Sequence, residues 1–126
     1  MANPKQRPVF LDLLRIRQPA TAVLSIGHRL SGIVMVLAIP LLVYLFDRSL
    51  SSASDYADTL ALLHSLPVRI ALVLLIWLFA HHFFAGIRYL LIDVDVGADI
   101  HQARASARLV FAAGVAVLLI AAVILL

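Results

Sequence analysis

Residues 109–126 read LVFAAGVAVLLIAAVILL, a run without a single polar side chain. A helix that crosses a bilayer needs about 20 mostly apolar residues, with a range of roughly 17–25. Two further runs meet that length. Leu30 to Phe46 reads LSGIVMVLAIPLLVYLF and carries no charge, and Ile70 to Ile87 reads IALVLLIWLFAHHFFAGI, uncharged but holding two histidines. None of the three alternates polar with apolar residues at period 2, so helices rather than barrel strands are expected. The spacing predicts an all-α membrane protein, a single membrane domain over 1–126. It comprises a leader over 1–21, helix 1 over about 22–47, helix 2 over about 67–92 and helix 3 over about 104–126.

Composition points the same way. Of 126 residues 63% are hydrophobic and 13% charged, about half the charged share of a soluble domain. So apolar a chain is neither a soluble globule nor disordered. With no cysteine, disulfides, thiolate zinc sites, Cys-ligated clusters and a Cys nucleophile are excluded. The net charge of +3 is no nucleic-acid signal; in such a chain basic residues report topology. Lys5, Arg7, Arg15 and Arg17 precede helix 1 and Arg29 lies near its start, and Arg88, Arg104 and Arg108 lie around the second connection. Only Arg48 and Arg69 flank the first. Basic residues stay cytoplasmic, which predicts an N-terminus inside and a C-terminus outside. The leader is too long for a cleavable signal. Within it, FLDLLRIR at 10–17 has the spacing of a short interfacial helix. Residues 49–58, SLSSASDYAD, read as a solvated outer loop, and His64 and His101 as solvated loop residues. Pro40 is expected to bend helix 1.

Ionisable groups inside a span are costly, which makes them functional candidates. At the start of helix 1, Ser25, His28 and Arg29 stand at i, i+3 and i+4, on one helix face. A hydroxyl, an imidazole and a forked guanidinium there suit a ligand bearing carbonyl or carboxylate oxygens. The plain alternative is an arginine that snorkels to headgroups and a serine bonded to its own helix. Gly27 and Ser31 form a small-xxx-small pair that lets another helix approach. In helix 2, His82 lies six residues, about 9 Å of helical rise, deeper than Arg88. Neutral imidazole is a ligand for haem iron. His81 and His82 diverge by about 100° and cannot both face one iron. One histidine per chain therefore implies a partner that supplies the other ligand, or an open site. The plain alternative is two buried histidines bonded to backbone or to a neighbouring helix.

Arg7-Pro8-Val9 with Leu11-Asp12-Leu13, then Ser25-x-x-His28-Arg29-x-Ser31-Gly32, resembles the cytochrome b556 subunit of succinate dehydrogenase, respiratory complex II. His82-x-x-x-Gly86-Ile87-Arg88 followed by Asp93 resembles the second signature of the same family. The resemblance covers nearly the whole chain. It departs at Tyr89, where the family commonly has His or Phe, and at Ile92, where Met or an aromatic is usual.

The resemblance implies an inner-membrane anchor that pairs with a second hydrophobic anchor subunit and docks an iron–sulfur subunit and a flavoprotein. It implies haem b shared with the partner anchor, with His82 rather than His81 as one axial ligand. By the same matching, His28 and Arg29 approach the haem propionates, and Ser25 and Arg29 line a site for ubiquinone or menaquinone. Asp93 is a possible proton relay. Two other readings compete: a non-redox transporter or assembly factor, and the anchor of a fumarate reductase.

Overall fold

The computed structural model describes residues 17–126. The leader's basic residues Lys5, Arg7 and Arg15, the Arg7–Leu13 signature and most of the proposed interfacial helix at 10–17 lie outside the described residues. The rest folds as four helices: α1 Ala20–Ser51, α2 Ala53–His64, α3 Leu66–Asp93 and α4 Ile100–Leu125. Three of them, α1, α3 and α4, are long and apolar enough to cross a membrane. Each span begins before its apolar run, α1 by ten residues, α3 by four and α4 by nine. Pro40 sits inside α1 without ending it.

Packing follows the small residues. α3 lies against both α1 and α4, with a slighter contact between α1 and α4. Helices in lipid gain little from hydrophobicity alone, so close approach depends on small side chains. On α4 the buried positions are Ala107, Val110, Gly114 and Ala121, one stripe along the helix. On α3 they include Val73, Ala80, His81, Ala85 and Arg88, and on α1 Leu24 and Ser31. Leu24, Ala85, Ala107 and Val110 form the core where the three spans meet. Gly27 and Ser31 of α1 do receive a neighbour, and it is α3 of the same chain.

The stretch 49–58, expected to be a loop, is helical on both sides of Ser52: 49–51 end α1 and 53–58 open α2. Ser52 caps α2: its hydroxyl accepts from the Asp55 N–H at 3.0 Å and donates to the Asp55 carboxylate at 2.6 Å. The first bond is an N-cap bond to the N3 amide, and the second ties the N3 carboxylate to the capping hydroxyl. Arg48 then reaches Asp55 at 3.5 Å and Asp58 at 3.3 Å, joining the end of α1 to α2. The Ser52 hydroxyl, and secondarily Arg48, hold the Asp55 carboxyl below the usual aspartate range. His64 is the last residue of α2 and His101 lies in the first turn of α4, so neither is a loop residue, although both are exposed. The α3–α4 connection turns on Gly97 at φ 75° and Asp95 at φ 61°, and Asp99 caps α4 through the amides of His101 and Gln102.

Candidate functional site

The site grows from the face α1 turns toward α3. Ser31 is fully buried, and its hydroxyl donates to the His28 carbonyl one turn back at 2.9 Å. His82 of α3 reaches the same carbonyl through Nδ1 at 2.9 Å, with Ser31 Oγ 3.2 Å away. A carbonyl oxygen can only accept, so Nδ1 carries the proton and Nε2 keeps the lone pair. His82 Nε2 has no hydrogen-bond partner among the described residues. A metal-binding histidine has this arrangement, one ring nitrogen tied to a backbone carbonyl and the other free.

Glycine makes the approach possible. A Cβ on Gly32 would lie 2.9 Å from His82 Cε1, and one on Gly27 2.7 Å from His81 Nε2. Each imidazole occupies the space a side chain on α1 would fill. The two rings meet different surroundings. His81 is buried, tilted against Trp77 and against Phe111 of α4, and its Nε2 is enclosed without a partner. It faces the interior of this chain's own bundle and has no room for a macrocycle beside it. His82 is half-buried, and its ring stacks on His28 at 4.0 Å and 11°. His28 in turn meets the edge of Tyr89 at 5.3 Å and overlies Gly86, where a Cβ would be 3.6 Å from its Nε2. His82, Gly86 and Tyr89 form one column on α3, with His28 lodged in the notch at the glycine.

Toward the start of α1 a cleft of about 420 Å³ opens, bordered by Ser25, Arg88, Tyr89 and Arg104. Its size suits a small organic ligand. Arg29 is exposed, does not border this cleft and pairs with no carboxylate among the described residues. Asp93, the last residue of α3, is also exposed and outside the cleft lining. The structure thus joins His28 to His82 and sets Ser25 apart in the cleft, with Arg29 and Asp93 on the surface.

Arg88 has a place that sequence reading missed. It is 6% exposed, donating through Nε to Ser106 Oγ and through Nη2 to the Ala103 carbonyl, both at 2.9 Å. Its guanidinium lies 5.3 Å over the Tyr89 ring. A charge read as a marker of topology is a buried clamp between α3 and α4. The signal available was Ala103, Ser106 and Ala107 on one face of α4, small enough to admit a guanidinium.

Three spans with ionisable side chains at their junction define a multi-pass helical membrane protein whose polar groups serve something other than lipid. The comparisons give this class its family. The family described as Succinate dehydrogenase/Fumarate reductase transmembrane subunit matches residues 3–121. The Succinate dehydrogenase cytochrome b556 subunit of Coxiella burnetii (strain RSA 493 / Nine Mile phase I) is 41% identical over 107 residues, 84% of this chain and 86% of that protein. The protein of the same name from Paracoccus denitrificans is 29% identical over 113 residues, 90% of this chain and 87% of its own length. The chain belongs to the succinate dehydrogenase/fumarate reductase transmembrane subunit family. It is a membrane-anchor subunit of succinate dehydrogenase, a multi-pass protein of the inner membrane.

Proposed function

We propose that this chain holds haem b together with a second hydrophobic anchor subunit, and that it forms part of the site where a quinone receives electrons from the iron–sulfur subunit. A flavoprotein would start that path by oxidising succinate. In this reading the N-terminus and the Ser25 end of the bundle face the cytoplasm. The observation that carries the haem assignment is the His82 ring: Nδ1–H is committed to the His28 carbonyl and Nε2 has no partner among the described residues. Both relatives carry cytochrome b556 in their names. The donor set fits a haem whose other ligand would come from the partner anchor, and Gly32 leaves room on α1 for the His82 ring. When bound, the haem supplies one-electron redox capacity. His28 and Arg29 would meet its propionates.

The quinone role rests on the Ser25 end. Reduction of a quinone to a quinol consumes two electrons and two protons, and negative charge develops on its carbonyl oxygens. Fixed donors stabilise that charge most where water is scarce. The Ser25 hydroxyl borders the cleft, and Arg29 stands one turn along the same helix. Asp93, exposed at the end of α3, would pass protons from the adjacent aqueous phase.

The test is a reduced-minus-oxidised spectrum of the complex purified from its own membranes, with the subunits identified. His82→Ala is expected to remove or shift the b-type band, and His81→Ala to leave it. The reverse pattern would refute the choice of His82. Arg29→Ala is expected to lower quinone reduction sharply while an artificial acceptor is still reduced by succinate. Equal loss of both in an assembled complex would refute the quinone role.

A further inference from the structure

Among the described residues three buried side-chain atoms have no hydrogen-bond partner: Thr59 Oγ1, His81 Nε2 and Tyr89 Oη. Buried polar atoms are nearly always paired, so each calls for an explanation. Thr59 lies on α2 at the opposite end of the bundle from Ser25. His81 Nε2 is wedged against Gly27 with no cavity beside it. Tyr89 differs from both, because it borders the cleft that also holds Ser25, Arg88 and Arg104.

The surroundings of Tyr89 fix its ring. The Arg88 guanidinium covers one side, itself anchored by Ser106 and Ala103. The His28 ring meets it edge-on from α1. Leu24, Ala85, Ala107 and Val110 pack behind it. These contacts shield the hydroxyl from water in this arrangement. The O–H is a donor whose natural partner is an oxygen acceptor brought in by whatever fills the cleft.

We propose that Tyr89 is a quinone-contacting residue: its hydroxyl donates to a carbonyl oxygen of the quinone, beside the Ser25 hydroxyl in the same cleft. The inference rests on the quinone reading above and adds α3 to a site otherwise built from α1. It also gives Arg88 a second role, as the positioning residue that holds the Tyr89 ring. A phenol in this place donates one directional hydrogen bond and adds no charge to the site.

The experiment compares Tyr89→Phe with Ser25→Ala and wild type in the assembled complex, using a short-chain quinone and, separately, an artificial acceptor that draws electrons before the membrane. Tyr89→Phe keeps the ring and its packing and removes only the hydroxyl. One neutral hydrogen bond corresponds to a loss of about two- to tenfold in kcat/KM for the quinone. That loss is expected with the artificial acceptor rate, subunit content and haem spectrum all unchanged. Unchanged quinone kinetics in Tyr89→Phe beside a defective Ser25→Ala would overturn the Tyr89 assignment and leave the quinone site standing. Unchanged kinetics in both would overturn the cleft as the quinone site, and Tyr89 with it. A shifted haem spectrum with normal quinone kinetics would assign the hydroxyl to the haem instead. Equal loss with both acceptors would mark Tyr89 as merely structural.

Discussion

Gly32→Ala isolates what the α1–α3 contact does for His82. The added Cβ would sit 2.9 Å from Cε1 of the imidazole and 3.4 Å from its Nδ1. Carbon atoms rest at about 3.5–4.0 Å, so the ring must retreat by about 0.6 Å or more. It cannot retreat freely, because Nδ1 is held at 2.9 Å from the His28 carbonyl. The same displacement stretches that hydrogen bond toward ~3.5 Å, where it is no longer effective. A metal ligand must be held to within about 0.5 Å, and loss of an outer-shell partner typically costs 10–100-fold in metal affinity. Haem affinity is therefore expected to fall by about that factor, about 1.4–2.8 kcal/mol. The helix itself does not suffer, since alanine favours a helix over glycine by about 1 kcal/mol. Gly114→Ala is the control: its Cβ meets Trp77 Nε1 at 3.5 Å, an ordinary contact far from His82. The assay is haem per assembled complex from the difference spectrum, with a haem titration of the depleted form. A folded Gly32→Ala complex with full haem and an unshifted band would refute the reasoning.

Further outcomes are expected from the helix contacts and caps. Arg88→Ala removes two buried charge-assisted hydrogen bonds, and the relief of a buried charge offsets part of the loss. A net destabilisation of about 2 kcal/mol is expected, read as a lower melting temperature in detergent. Arg88→Lys should not restore it, because an ammonium cannot reproduce the fork that reaches both Ser106 and Ala103. Ser52→Ala removes the α2 cap, worth about 1 kcal/mol, and should speed hydrogen exchange at the first amides of α2 without changing quinone reduction. Acid should do the same to the wild type. The Asp55 carboxyl is held below its ordinary value, so its stabilising contribution is complete above the unfolded value of about 3.9 and disappears as pH falls through the folded one.

The spans were legible because lipid imposes a length and an apolarity that no other environment asks for. Each apolar run marks the inside of a helix, and the helices outrun it because their ends sit in polar surroundings where charge is tolerated. α2 was misread for a different reason. Serine and aspartate favour both loops and helix starts, and only their order distinguishes the two. Ser52 stands three residues before Asp55, the capping-box spacing, and the stretch that follows, YADTLALLH, is compatible with a helix. Composition alone pointed to a loop where spacing pointed to a cap. Arg88 was misread because counting charges for topology treats every arginine beyond an apolar run as solvated. Its burial depends on Ser106 and Ala103, eighteen and fifteen residues away on another helix, which no local pattern reports.

The two adjacent histidines mark the boundary between what sequence and structure can each decide. Sequence geometry separates them by about 100° and says that only one can face a shared iron. It cannot say which direction is outward. The structure answers with the glycines of α1. Gly27 and Gly32 are five residues apart, which turns them about 140° around the helix and some 7.5 Å along it. Gly27 admits His81 into the junction with α4, where Phe111 and Trp77 close over it. Gly32 admits His82 on the other side, where Ser31 and the His28 carbonyl fix Nδ1 and, among the described residues, no ring of α4 stacks on it. A histidine enclosed by its own subunit can support packing but cannot be shared with a neighbour. A half-open histidine with one nitrogen locked and the other free can be shared. The proposed choice of His82 thus rests on where α4 lies, and its reach beyond this chain depends on the side that α4 leaves open.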